Sequence, residues 1–412
     1  MKKSILLVSL NHIYPLSYGG AIAQYFFLES ICEQHNVTLC TVVNTKTEER
    51  SLLNLQNKIS GLNIEYVKTF NSKKLFLVFF LKLFSRFQNQ LKLLVLELIA
   101  LKNSEIKLVS APLMYENVDF IYLLNNTIKT KHFDIIECFA FDTLSLAPLF
   151  PAYIKKIFIH PEIRFKSLEN RDIQHNLYNE YQRKFIKDYE LALLKKFDLI
   201  VVYNIDDASL LKQEIHNTDI VVSPYGIPTE LIEKKEYSKS YNNFIFIGAE
   251  EHEPNKLGLE WFLNDIYIPN IDNIIWSITI IGKWSKTFKK RYATYEKIIF
   301  KGFLDSMLTH FENSVLISPI KAGSGIRTKI LLAFANKIPV FSTRFASEGL
   351  FNVDCDNDHI LFFDTQEEFI SNFIKFSNSP SELDSLAEKA FDYYNFYYNS
   401  QNLINLRKAI YS

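Results

Sequence analysis

The chain has 412 residues, more than one ordinary hydrophobic core sustains, and at roughly 150 residues per domain it points to two. Lys plus Arg and Asp plus Glu number 46 each, so no global field draws the protein to nucleic acid. Hydrophobic residues make up 48% of the chain, with 35 Phe and 22 Tyr against 11 Gly and 12 Pro, a composition of packed regular structure rather than disorder.

Cys32, Cys40, Cys138 and Cys355 include no C-x-x-C pair and sit in or beside apolar stretches, so they read as small hydrophobes in a reducing cytoplasm. Met1-Lys2-Lys3 before Ile5 to Leu10 has the outline of a leader, but the apolar run is short and meets Asn11-His12 and Pro15, not a small-residue cleavage site. No uninterrupted apolar run of about 18 residues occurs, so no transmembrane helix is expected.

Ser4 to Leu10 reads as a buried parallel strand, followed by a loop to Gly20 and an amphipathic helix carrying Ile22, Phe26, Phe27, Ile31 and Cys32. Val37 to Val43 is the next strand. This start lacks a G-x-G-x-x-G fingerprint, and Gly19-Gly20 reads as a helix-start turn or as part of a ligand cradle. Residues 73–102 hold six basic residues and one acidic residue, Glu97. On a helical wheel Leu83, Phe84, Phe87, Leu91, Leu94, Val95 and Leu98 share a face opposite Lys82, Arg86, Asn89 and Gln90. That face either packs on its own domain or lies on a membrane surface.

Phe133 to Cys138 and Lys156 to His160 read as strands around a short helix from Thr143 to Leu149. His160-Pro161-Glu162 then falls at a strand's C-terminal end, where ligands collect in open α/β sheets. A lone His there is a structural hydrogen-bonder or a functional group, aimed by the fixed turn at Pro161. A polar helix from about Asp172 to Lys196 precedes the strand Asp198 to Tyr203, and Asp206-Asp207 is positioned to cap the next helix. Asp219 to Val222 is the last strand of this half. Ser223-Pro224-Tyr225-Gly226 makes a sharp exit into a polar linker, Glu230 to Asn243.

Phe244 to Gly248 opens a second α/β unit. Glu250, Glu251, His252 and Glu253 precede a helix whose dipole favours acids, which points to capping rather than a metal. Strands Ile274 to Ile281 and Ile298 to Lys301 end at Gly282-Lys283 and Gly302-Phe303, with Lys283 within reach of a phosphate. Val315 to Ser318 then runs into Gly323-Ser324-Gly325 and a helix start, where small residues and free N–H groups form an anion cradle. Arg327 and Lys329 put two cations where the dipole prefers acids, so they are either solvated or matched by an anion such as a diphosphate. Asp354, Asp356, Asp358 and His359 read as a turn before the strand Ile360 to Phe363, and helices Glu367 to Ser377 and Ser381 to Tyr394 cover the sheet.

The run P-x-x-x-G-S-G-I-R-x-K-I-L-x-A-x-A-x-x-x-P-V-x-S-T from Pro319, followed by Glu348-Gly349-Leu350, resembles the C-terminal signature of glycosyltransferase family 4. Tyr189-Glu190 with Lys195 and Asp198, and the Pro224-Tyr225-Gly226 turn, are similar to that family too. The resemblance implies an α/β GT-B fold, two Rossmann-like doubly wound domains facing across a cleft. It divides the chain into an acceptor-side domain (1–225), a linker (226–242), a nucleotide-sugar-binding domain (243–395) and a tail (396–412) that crosses back. It places the donor against Gly248, Asn255, Gly323, Ser324, Gly325, Ile326, Glu348, Gly349 and Leu350, with Gly19 and Gly20 from the first domain and Lys283 as a further phosphate contact. Arg327 and Lys329 then act on the departing diphosphate, His160 lies near the transferred sugar, and Glu162 is on the acceptor side. The family's ribose-holding Glu falls on Leu332 and its earlier Glu on Ser324, so the chain departs from the pattern at both.

The function so implied is transfer from a nucleotide sugar to a hydroxyl of a glycan or lipid-linked glycan in bacterial surface polysaccharide (capsule or O-antigen) synthesis. It is expected to be retaining, with no metal and no cofactor, on the cytoplasmic face of the inner membrane, which residues 73–102 would touch. Two alternatives stand beside it. One is a non-catalytic GT-B subunit binding a partner transferase or a glycan. The other is a nucleotide-sugar epimerase, which needs clustered carboxylates where the sequence offers Glu162 and Glu348.

Overall fold

The computed structural model describes residues 2–70, 117–169, 177–233, 240–302, 310–351 and 358–412. The amphipathic stretch 73–102 lies outside the described residues, as do Phe303, Asp354, Cys355 and Asp356. Among the described residues, no helix is long and apolar enough to cross a membrane.

The first domain is built on seven parallel strands: β1 (Ser4–Val8), β2 (Asn36–Val43), β3 (Leu62–Lys68), β4 (Ile135–Phe139), β5 (Lys155–His160), β6 (Leu199–Val202) and β7 (Asp219–Val222). Their order is β3-β2-β1-β4-β5-β6-β7, so the winding reverses between β1 and β4. Runs such as Ile5–Val8, Val37–Val43 and Ile157–Ile159 are buried throughout, as strands covered on both faces must be. The covering helices are α1 (Gly19–Gln34), α2 (Lys46–Lys58), α3 (Val118–Thr130), α4 (Arg164–Glu169), α5 (Leu177–Leu194) and α6 (Ile205–Glu214). The cap of α6 differs from the expected one. Asn204 rather than the Asp206-Asp207 pair is its N-cap, with its Oδ1 accepting from the Asp207 N–H at 2.7 Å, while both aspartates stand in the first turn.

The second domain repeats the plan with six parallel strands: β8 (Asn243–Ile247), β9 (Ser277–Ile281), β10 (Ile298–Gly302), β11 (Ser314–Ser318), β12 (Val340–Ser342) and β13 (Leu361–Phe362). They lie in the order β10-β9-β8-β11-β12-β13, with the reversal between β8 and β11. Helices α7 (Glu253–Trp261), α8 (Lys286–Arg291), α9 (Thr328–Ala335), α10 (Arg344–Ser347), α11 (Gln366–Ser377) and α12 (Pro380–Tyr397) surround it. Much of the aromatic content is spent here: Phe244, Phe262, Trp276, Phe341, Phe369 and Phe373 pack ring against ring between sheet and helices.

The last helix, α13 (Ser400–Ile410), packs against α1 in the first domain. There the Tyr411 hydroxyl donates to Glu137 Oε2 at 2.5 Å, Arg407 lies 3.8 Å from Glu137 Oε1, and Lys155 Nζ donates to the Ile410 carbonyl at 3.1 Å. Glu137 on β4 and Lys155 on the neighbouring β5 thus hold the end of the chain, which ties the two halves together.

Candidate active site

The two winding reversals set where a ligand fits, because loops leaving the C-terminal ends of strands splay apart there. In the second domain the loops after β8 and β11 meet at that point. Gly248, directly after β8, is hemmed in on two sides: a Cβ there would sit 2.6 Å from Asn255 Cγ, and one on Gly282 would sit 2.1 Å from the Gly248 carbonyl. Trp284 Nε1 donates to the same carbonyl at 2.8 Å. Asn255 lies in the first turn of α7 and accepts the Lys329 ammonium on Oδ1 at 2.8 Å.

After β11 the chain passes through Gly323 and Gly325 at φ +109° and +76°. A Cβ on Gly325 would lie 2.5 Å from the Pro161 carbonyl, and Ser324 Oγ donates to the Ile163 carbonyl at 3.1 Å. The glycine loop of one domain therefore rests on the His160-Pro161-Glu162 turn of the other. Arg327 is the N-cap of α9, one residue before the helical turn in which the sequence places it. Its Nη1 donates to the Ser324 carbonyl at 2.8 Å and to the Gly325 carbonyl, which leaves Nη2 buried with no partner. Burial pushes its pKa down while Glu162, Glu348 and Asp207 pull it back. Lys329 also lies over the Phe246 ring, 4.6 Å from its centre. Burial, and then the charge of Arg327, bring the Lys329 ammonium down to about 7.

Gly19 and Gly20 open α1 on the facing side, and a Cβ on Gly19 would lie 2.3 Å from Thr328 Oγ1. Glu348 follows α10, and partial burial raises its carboxyl above the usual range against the pull of Lys166 and Arg327. Gly349, at φ +82°, comes close to Asn204: a Cβ there would lie 3.2 Å from Asn204 Nδ2. The structure thus brings Gly19, Asn255, Ser324, Gly325, Arg327, Lys329, Glu162, Glu348 and Gly349 to one place.

Four expectations take a different form. The family resemblance sets His160 near the transferred sugar, while the residues alone leave a structural role open; the structure buries its ring completely, with Nε2 2.9 Å from Glu190 Oε1. Side chains alternate along β5, and the one at its last residue points under α5 rather than into the cleft. The Glu190 carboxylate also accepts the Arg164 and Phe165 N–H groups, each at 2.9 Å, so the pair anchors the Pro161-Glu162 turn from below. Replacing Glu190 by alanine strands these buried donors and is expected to destabilise the protein by about 3 kcal/mol, read from the urea midpoint. Lys283 is 78% exposed and its ammonium is paired with Glu251 at 2.9 Å. Leu350 and, in part, Ile326 turn their side chains into the core, so only their backbone is left for a ligand. Leu332, where the family's ribose carboxylate falls, is likewise a buried core residue.

The sequence also missed residues. Asp207 is buried and receives Lys166 Nζ on Oδ1 at 2.7 Å and Asn204 Nδ2 on Oδ2 at 2.8 Å. Asn204-Ile205-Asp206-Asp207 directly after an apolar strand was a readable cap signal. Nothing near Lys166 marked it, since its partner lies forty-one positions away.

Two doubly wound parallel sheets, with an anion cradle at the reversal of the second set against a strand-end turn of the first, make this a GT-B protein. Residues 241–378 match the family model for glycosyl transferases group 1, and the chain is a glycosyltransferase. A 44.6 kDa protein in the cps region of Klebsiella pneumoniae is 22% identical over 97% of this chain and 98% of its own. Two solved structures share the fold. Anabaena HepE, in complex with UDP, is 11% identical with a TM-score of 0.62, over 100% of this chain and 99% of that one. WaaG, a glycosyltransferase involved in lipopolysaccharide biosynthesis, is 10% identical with a TM-score of 0.63, over 98% and 99%.

Proposed function

We propose that the chain moves a sugar from a nucleoside-diphosphate donor to a hydroxyl of a glycan or lipid-linked glycan during assembly of a bacterial surface polysaccharide, retaining the anomeric configuration and needing no metal. The observation that carries this is the cation pair at the cradle: Arg327 has a buried nitrogen without a partner, and Lys329 beside it is held by a neutral amide rather than a carboxylate. Two adjacent cations without a directly bonded acid call for an anion of two charges. The cps-region relative supports the polysaccharide setting, and the UDP in HepE supports a uridine donor as the first to try.

As the bond from the anomeric carbon to the phosphate oxygen breaks, negative charge grows on the diphosphate. Arg327 Nη2, the Lys329 ammonium and the N–H groups from Gly323 to Ile326 stabilise that charge more in the transition state than in the ground state. Glu348 accepts a hydroxyl of the donor sugar, Glu162 faces the acceptor, and His160 with Glu190 holds the turn that carries Glu162. Contact with the cytoplasmic membrane surface through residues 73–102 brings a lipid-linked acceptor to the cleft.

The test is turnover of a nucleotide-sugar panel with glycan and lipid-linked acceptors, with and without EDTA. One donor is expected to release its nucleoside diphosphate and label the acceptor at an unchanged rate in EDTA. An epimer formed without acceptor would make the chain an isomerase, and no turnover with any donor would favour a non-catalytic subunit.

A further inference from the structure

One contact across the domains lies outside the donor contacts. Tyr225, the middle residue of the exit turn, is buried, and its hydroxyl is 2.7 Å from Thr328 Oγ1. Thr328 is the first residue of α9, between Arg327 and Lys329. On its other side stands Gly19, whose missing side chain leaves room for the same Oγ1 at 2.3 Å from where a Cβ would be. The turn is fixed around this bond. The Tyr225 ring meets Tyr203 edge-on at 4.7 Å between centres, and the Ile227 N–H donates to the Tyr394 hydroxyl at 2.8 Å. A Cβ on Gly226 would lie 2.9 Å from the Phe26 ring of α1. One threonine hydroxyl therefore touches the start of α1, the turn between the domains and the start of α9.

We propose that Tyr225 and Thr328 are positioning residues for glycosyl transfer: their hydrogen bond seats the cation-bearing start of α9 against the start of α1, so that both helix ends address the leaving diphosphate. The inference rests on the transferase reading. Thr328 cannot lean toward Tyr225 unless position 19 lacks a side chain, and Tyr225 cannot reach Thr328 unless the turn holds its present course. Neither residue needs to touch the donor. Affinity for the donor comes mainly from the second domain and survives loss of the bond, whereas alignment of the two helix ends does not, and misplacement by about 1 Å is enough to cost on the order of a hundredfold in rate.

Tyr225→Phe and Thr328→Val are each expected to lower kcat about ten- to a hundredfold with the donor KM within about threefold, while Thr328→Ser keeps the wild-type rate. The double variant Tyr225→Phe/Thr328→Val should be no slower than either single one, because both remove the same bond. Thermal midpoints of all four are measured alongside, and Gly19→Ala, which displaces Thr328 without removing its hydroxyl, should also lower kcat. Wild-type kcat in Tyr225→Phe and Thr328→Val, multiplying losses in the double variant, or a Thr328→Ser as slow as Thr328→Val would overturn the proposal. If the wild type turns over no donor, the transferase reading fails on its own, and the seating is then read by hydrogen exchange. UDP should protect the amides of residues 19–23 in the wild type and not in Tyr225→Phe, and equal protection in both would overturn it.

Discussion

Replacing Arg327 by alanine is expected to lower kcat about a hundred- to a thousandfold, the cost typical of removing one charged donor aimed at a developing negative charge. The thermal midpoint of the empty protein should fall modestly, because the Ser324 and Gly325 carbonyls lose their donor, whereas Asp207, which acts on Arg327 through space, keeps Lys166. The guanidinium has two tasks. One nitrogen holds the loop through the Ser324 and Gly325 carbonyls, and the other is left for the ligand. Lysine cannot perform both, so Arg327→Lys should recover only part of the rate. Steady-state kinetics of the two variants with the donor found in the panel separates the charge from the fork.

The second large effect is one of pH. The Lys329 ammonium sits at about 7 in the folded protein, against about 10.4 in an unfolded chain. From pH 7 up to about 10.4 the unfolded chain therefore holds the extra proton, so this group makes the empty protein more stable as pH rises through that window. An anion reverses the balance by favouring the charged form. Nucleotide binding at pH 8 should then take up close to one proton, and affinity should fall about tenfold per pH unit above 7. Titration calorimetry in buffers of different ionisation enthalpy measures the uptake. Lys329→Met should show none, bind roughly a hundredfold more weakly below pH 7, and lose the pH dependence. Proton uptake that persists in Lys329→Met would assign the titration to another group.

Much of the fold was legible because parallel strands buried on both faces leave unbroken apolar runs, as at Ile5–Val8 and Phe244–Phe246. The cradle was legible for a local reason: Gly323 and Gly325 need positive φ, and the strand before them and the helix after them are contiguous in sequence. What a local pattern could not show was the opposite wall. Ser324 meets Ile163 and Gly349 meets Asn204 across long stretches of chain, and no periodicity encodes such pairs. His160 is the sharpest case. Its position at a strand end was right, but whether its side chain faces the cleft or the underside depends on α5 and Glu190, thirty residues later. The carboxylates that act on Arg327, Glu162, Asp207 and Glu348, likewise come from three separate segments of chain, and Asp207 reads locally as a helix-start residue.

On the reading proposed above, the loop from Gly323 to Lys329 holds a nucleoside diphosphate. Calorimetric titration of UDP, GDP, TDP, ADP and CMP into wild type and Arg327→Ala at pH 6.5 tests it most directly. One diphosphate is expected to bind the wild type and to bind Arg327→Ala at least tenfold more weakly, with the monophosphate weaker than either. Equal affinity in both proteins, or no binding by any of the five, would contradict it.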